Sequence, residues 1–141
     1  MKFHHVGLIV GSLEIGKQFL EKVNLGMSFG EEIEDTEIGV KVQFGVDNQG
    51  LRYELVAPLN EQSLIWNYLH SRDNMLHHMA FLVDEFDQKR LELRSTGCVP
   101  LSEPMRAAAF QGRRVAFFLT PLRTILEIIE SEHQIPGFES V

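Results

Sequence analysis

One cysteine, Cys98, is all that the 141 residues carry, so no intramolecular disulfide can form and nothing calls for an oxidising compartment. A basic surplus is also missing: 13 lysines and arginines stand against 20 aspartates and glutamates, a formal charge of −7. Too few cations remain to neutralise a row of phosphates, so no nucleic-acid partner is expected. No apolar run approaches the roughly 20 residues of a membrane span, and no membrane partner is expected either. The N-terminus runs straight into a strand pattern without signal-peptide architecture, and the expected compartment is cytoplasmic. The chain is long enough for one well-buried core and too short for two independent domains, so a single domain is expected.

What the chain does have, it has twice. Residues 3–10 read FHHVGLIV and residues 76–83 read LHHMAFLV, an offset of 73 residues. The same offset carries His5 onto His78, Gly39 onto Gly112, Val42 onto Val115, Phe44 onto Phe117 and Glu54 onto Glu127. A register kept at both ends and in the middle indicates a duplicated half-domain, each copy bearing one histidine and one glutamate at the same place.

The coarse element pattern repeats as well. Residues 3–10 suit a strand buried on both faces. Ser12 is a plausible N-cap for a helix whose inward face would use Leu13, Gly16, Phe19, Leu20 and Val23, ended by Asn24 and Gly26. Residues 38–46 and 51–57 read as strands joined by the hairpin signal Asp47-Asn48-Gln49-Gly50. The first module, about 1–60, is therefore β-α-(β)-β-β. Leu64, Ile65, Tyr68 and Leu69 give a short amphipathic linker helix within 61–73. The second module, about 74–131, repeats the pattern: strand 76–83, a helix from about Asp87 to Ser95 with Leu91 facing inward, and strands 113–119 and 124–130. The tail, 132–141, holds Pro136 and Gly137 and little periodicity.

Strand side chains alternate, so His5, Gly7 and Ile9 share one face and His78, Ala80 and Leu82 share its equivalent. Gly7 and Ala80 are small and leave room beside the second histidine of each pair. That favours His5 and His78 as inward ligands, with His4 and His77 facing helix or solvent. Glu54 and Glu127 sit in apolar strand sequence, where an unpaired carboxylate is expensive to bury. Two imidazoles and two carboxylates at equivalent positions are better explained by one divalent ion. The mixed nitrogen and oxygen set suits zinc, nickel, cobalt, manganese or iron without choosing among them. Arg106, Arg113, Arg114 and Arg123 could hold an anionic small molecule or simply be solvated surface.

At these residues the chain resembles the vicinal oxygen chelate superfamily, which includes glyoxalase I, bleomycin-resistance proteins, extradiol dioxygenases and methylmalonyl-CoA epimerase. The resemblance covers about residues 3 to 131. It implies an α+β fold of two tandem βαβββ modules, forming a curled mixed sheet around a metal site, with His5, Glu54, His78 and Glu127 as ligands. It also implies a homodimer. Glu54-Leu-Val-Ala-Pro-Leu-Asn-Glu-Gln-Ser63-Leu-Ile and Leu76-His-His-Met-Ala-Phe81 are similar to the linker and second strand of the epimerase branch. Ser102-Glu-Pro104 and Gly112-Arg-Arg-Val-Ala-Phe117 are similar too. Glu37-Ile-Gly-Val40 resembles that branch's Glu-x-Gly-Val segment, which implies a proton-transfer role for Glu37. There are departures: Leu119-Thr-Pro-Leu-Arg123 stands where the family usually has His-Pro-Lys and a glycine-bearing turn. Ala107-Ala-Ala-Phe110 replaces a more polar segment.

The implied activity is metal-dependent proton transfer α to a thioester carbonyl, as in methylmalonyl-CoA epimerase, on a small-molecule acyl thioester. Glu37 and Glu127 are the catalytic candidates; Glu37 otherwise belongs to the exposed acidic run Glu31, Glu32, Glu34 and Asp35. A glyoxalase I-like lactoylglutathione lyase would use the same ligands and the same enolate chemistry. A bleomycin-resistance-type binding protein would need no metal set. An extradiol dioxygenase needs only three protein ligands and open positions, and here a fourth ligand is available.

Overall fold

The computed structural model describes residues 1–63, 65–69 and 76–131. Of the expected 61–73 linker helix, Leu64 and residues 70–73 lie outside the described residues, as does the 132–141 tail. The chain forms two compact units, residues 5–77 and residues 1–4 with the chain from residue 78. No helix among the described residues is long and apolar enough to cross a membrane.

β1 (Lys2–Ile9), which belongs to the first unit from His5 onward, leads to α1 (Leu13–Lys22), then β2 (Ser28–Asp35), β3 (Val40–Val46), β4 (Arg52–Pro58) and the single turn α2 (Trp66–Leu69). The strands lie in the order β2-β3-β4-β1. The hairpins are antiparallel and β1 closes in parallel on β4, which makes the sheet mixed. Ser12 caps α1 as expected, its hydroxyl accepting the Ile15 N–H at 3.2 Å. Asn24 and Gly26 take positive φ (61° and 69°) and turn the chain out of the helix. Asp47 ties the β3–β4 turn by accepting the N–H groups of Gln49 and Leu51, each at 2.9 Å.

The second unit repeats this plan. It contains β5 (Leu76–Val83) from His78 onward, α3 (Phe86–Ser95), the short β6 (Val99–Pro100) and β7 (Met105–Ala107), a 3-10 turn at Ala108–Phe110, β8 (Arg113–Leu119) and β9 (Ile125–Glu130). The order is β5-β9-β8-β6, with β7 also on β8, and β5 closes in parallel on β9. The α+β class, the mixed sheet and the duplicated order all agree with the sequence.

The two cores match position for position. Leu13, Leu20 and Leu55 pack with Val10 and Leu25 in one; Phe86, Leu93 and Ile128 pack with Val83 and Cys98 in the other. Every pair is separated by 73 residues. Gly16 lets α1 lie close to its sheet: a methyl group there would come within 3.0 Å of the Leu55 side chain.

Three inward assignments are corrected. Phe19 and Val23 are not on the buried face of α1 but 61% and 46% exposed, because Leu13, Gly16 and Leu20 alone fill the row against β4. Leu91 is 69% exposed, and Phe86 and Leu93 form the inner face of α3 instead. In both helices the sheet accepts a stripe of three or fewer residues, narrower than apolar spacing alone suggests.

Candidate metal centre

Each unit builds one half of the expected ligand set. In the first, the parallel ladder sets Gly7 opposite Glu54, and the antiparallel one sets Phe44 on the other flank of Glu54. His5 lies on the Gly7 face of β1, two residues earlier. Its Nε2 stands 3.5 Å from Glu54 Oε1. The Phe44 ring meets the imidazole edge-on, with centroids 5.4 Å apart and planes at 75°.

The second unit reproduces each of these relations. Ala80 is opposite Glu127, Phe117 flanks Glu127 from β8, and His78 Nε2 stands 3.1 Å from Glu127 Oε1. The Phe117 ring meets His78 edge-on at 5.4 Å and 82°. His5, Glu54, His78 and Glu127 are 0%, 6%, 3% and 3% exposed. Carboxylates so far from water demand a cationic or hydrogen-bonding partner.

The donor chemistry fits a divalent metal. Two donors each about 2.1 Å from one ion, at tetrahedral to octahedral angles, stand about 3.0–3.4 Å apart. The His–Glu separations of 3.5 and 3.1 Å match that edge length. Within each unit a buried imidazole stands beside a buried carboxylate, the mixed nitrogen and oxygen pair that a divalent ion takes.

The other sequence candidates fall elsewhere. Glu37 is exposed, in the turn 36–39 between β2 and β3. That turn is held by Asp35, whose carboxylate accepts the Ile38 N–H at 3.0 Å and whose carbonyl accepts the Gly39 N–H at 2.8 Å. His4 does not face solvent: it is 4% exposed and packs edge-on against Phe110, with centroids 5.5 Å apart. The apolar Ala107–Phe110 stretch creates that pocket, which strand alternation alone could not reveal. His77 is half-buried.

Of the four arginines, one is fully buried and a second is half-buried with its charge already paired. Arg113 is fully buried and donates to the carbonyls of Phe110 and Glu130 at 3.2 and 2.9 Å. Arg114 donates to the carboxylates of Glu130 and Asp87 and stacks over Phe86, 4.5 Å from its centroid. These bonds hold Glu130 below the usual carboxylate range even though burial, the largest influence, pushes it upward. Asp87 is lowered chiefly by its hydrogen bond from Arg114. Arg106 is exposed and donates to the Gly112 carbonyl at 2.7 Å; Arg123 is exposed in a turn with φ of 65°.

Three site residues were not singled out in the sequence. Phe44 and Phe117 carried a signal, since the repeat pairs them. Arg52 carried none. It lies on the Glu54 face of β4, half-buried, and burial lowers its pKa. The repeat places Ile125 at its equivalent, so the two ligand faces differ in charge there.

Comparison with known proteins supports the same lineage. The profile of the Glyoxalase/Bleomycin resistance protein/Dioxygenase superfamily matches residues 4–117. The chain is 28% identical over 132 residues to an uncharacterized protein of Bacillus subtilis, covering 92% of this chain and 89% of that one. A hypothetical protein of Bacillus halodurans superposes with a TM-score of 0.78 at 25% identity, covering 99% of this chain and 96% of that one. Methylmalonyl-CoA epimerase of Mycobacterium tuberculosis superposes with a TM-score of 0.74 at 25% identity, covering 92% and 87%. With a duplicated fold, a doubled His–Glu pair and a profile match across most of its length, this chain belongs to the Glyoxalase/Bleomycin resistance protein/Dioxygenase superfamily.

Proposed function

We propose that this chain is a metal-dependent isomerase of the methylmalonyl-CoA epimerase kind, moving a proton on and off the carbon α to a thioester carbonyl. The observation that carries this reading is the doubled His–Glu pair, with the same register and the same flanking phenylalanine in each half. His5, Glu54, His78 and Glu127 would together hold one divalent ion. Such an ion, when bound, supplies positive charge that stabilises an enolate.

The remaining work falls to the chain's own groups. Glu127 takes the α proton as carboxylate and becomes the acid, leaving the substrate as its enolate. Glu37, as acid, returns a proton to the opposite face and becomes the carboxylate; solvent re-equilibrates both. Two acids make inversion possible where one would return the proton to the side it left. The Glu37 turn is fixed on two sides, by Asp35 and by the Leu59 N–H on the Gly39 carbonyl at 3.0 Å. A turn tied in this way keeps a carboxyl in one place at low entropic cost.

The experiment is α-proton exchange in deuterated water with methylmalonyl-CoA, on protein loaded with each of several divalent metals. Deuterium entering from either epimer is the expected result. No incorporation beside ready isomerisation of a hemithioacetal would replace the epimerase by a lyase of the glyoxalase I type. A fully folded protein that takes up no metal would leave a ligand-binding protein of the bleomycin-resistance type.

A further inference from the structure

By strand alternation Arg52 shares its face of β4 with Glu54, two residues on. The parallel ladder pairs Val6 with Tyr53 and Gly7 with Glu54, so its register brings Arg52 level with His5. Across the antiparallel ladder Arg52 stands opposite Val46, which carries no charge. Among the described residues, Arg52 is the only lysine or arginine on that face of β1 to β4. The duplication supplies an internal control. The equivalent position, 73 residues on, is Ile125, also half-buried and also two residues before a ligand candidate. The fold therefore accepts an apolar side chain there, and packing alone does not call for the guanidinium of the first unit.

A guanidinium on a half-buried face suits an anion, above all a planar one. Its five N–H donors form a rigid fork that meets a carboxylate with two parallel bonds, and one partner within the protein does not exhaust them. Distance limits which anion that is. Two residues of strand span about 6.8 Å. A group held at Arg52 thus lies within a few bonds of a group held at Glu54. That is the reach of a short acyl group and not of the long coenzyme that carries a thioester.

We propose that Arg52 takes the free carboxylate of the substrate, so that this chain selects acyl thioesters bearing a second acid group over those without one. The proposal rests on the thioester chemistry proposed above and adds the residue that chooses the acyl group. Arg52 is a specificity residue: it orients the acyl end and moves no proton.

Calorimetric titration of the full chain, loaded with cobalt, tests it with methylmalonyl-CoA and with propionyl-CoA. The two ligands differ by the carboxylate alone, and the readout needs no turnover. Arg52→Gln is expected to weaken methylmalonyl-CoA binding at least tenfold and propionyl-CoA binding less than threefold. Arg52→Lys keeps the charge without the fork and is expected to fall between wild type and Arg52→Gln. Circular dichroism and cobalt affinity are expected to stay unchanged in both variants, and in turnover KM is expected to rise more than kcat falls. Equal losses for the two thioesters overturn the proposal. So does a tenfold loss of cobalt affinity with the preference intact, which would make Arg52 a counter-charge for Glu54. Both of those outcomes leave the proposed reaction standing. A preference that is lost with Arg52, in a protein that admits no deuterium at the α carbon, keeps Arg52 as the carboxylate's partner and removes the epimerase. A chain that binds neither thioester ends both.

Discussion

Ala80 lies directly opposite Glu127 in the parallel ladder between β5 and β9, with no exposed surface of its own. The smallest chiral side chain thus stands beside a buried carboxylate. Ala80→Leu adds three carbons where close packing leaves no room, at about 1–3 kcal/mol. The expected outcome is a lower melting temperature together with at least a tenfold loss of divalent-metal affinity. Calorimetric titration beside thermal unfolding checks it; retained affinity in a destabilised protein would show that Glu127 is not held by its neighbour.

The histidine pairs give a second comparison. His78 is buried beside Glu127, whereas its neighbour His77 is half-buried on the other face of the strand. His78→Ala is expected to reduce metal affinity by two or more orders of magnitude, and His77→Ala by less than threefold. Equal losses would mean that the wrong histidine has been assigned to the metal.

Glu127 and Glu37 separate metal binding from proton transfer. Glu127→Gln is expected to impair both, because the proposed function gives its carboxylate both roles. Glu37→Gln, altering an exposed turn residue, is expected to spare metal binding and melting temperature yet to suppress epimerisation at least a hundredfold. Deuterium exchange in that variant should persist from one epimer and fall away from the other. Full activity with both epimers would remove Glu37 from the reaction.

Arg114 sets the acid stability of the second unit. Glu130 keeps a lowered pKa because Arg114's hydrogen bonds outweigh its burial. A carboxylate lowered on folding contributes stability that is present above its unfolded value of about 4.3. That stability is lost as pH falls through the lowered folded value. Arg114→Gln is expected to cost about 2 kcal/mol at neutral pH. The difference from wild type should shrink steadily below about pH 4.3. Urea unfolding between pH 3 and 7 measures it, and a constant difference would place the contribution in the Phe86 stacking rather than in charge.

The duplicated order, the four metal candidates and most strand edges were legible because the repeat fixes them jointly: a residue misjudged in one half is checked by the other. Single-copy features had no such check. β6 and β7 were missed, being two and three residues long, with Pro100 in one and Arg106 in the other obscuring any alternation. Arg113 read as surface because arginine is rarely sealed from water. Its burial depends on carbonyls supplied from the 3-10 turn and from β9, distant in sequence. Phe19, Val23 and Leu91 were turned inward because hydrophobicity marks a face without telling whether this chain or another body covers it.

The parallel closures of β1 on β4 and of β5 on β9 also bear on the order of folding. In each half the imidazole and carboxylate lie 49 residues apart and meet only through that closure, the longest-range strand pairing among the described residues of the half. Loop-closure entropy makes such a contact late and slow compared with helices and hairpins. A metal that needs both residues has nothing to grasp in a chain whose hairpins alone have formed. Under the proposed function a bound metal would therefore act as a latch rather than a template, with the refolding rate expected to stay nearly unchanged and the unfolding rate to slow.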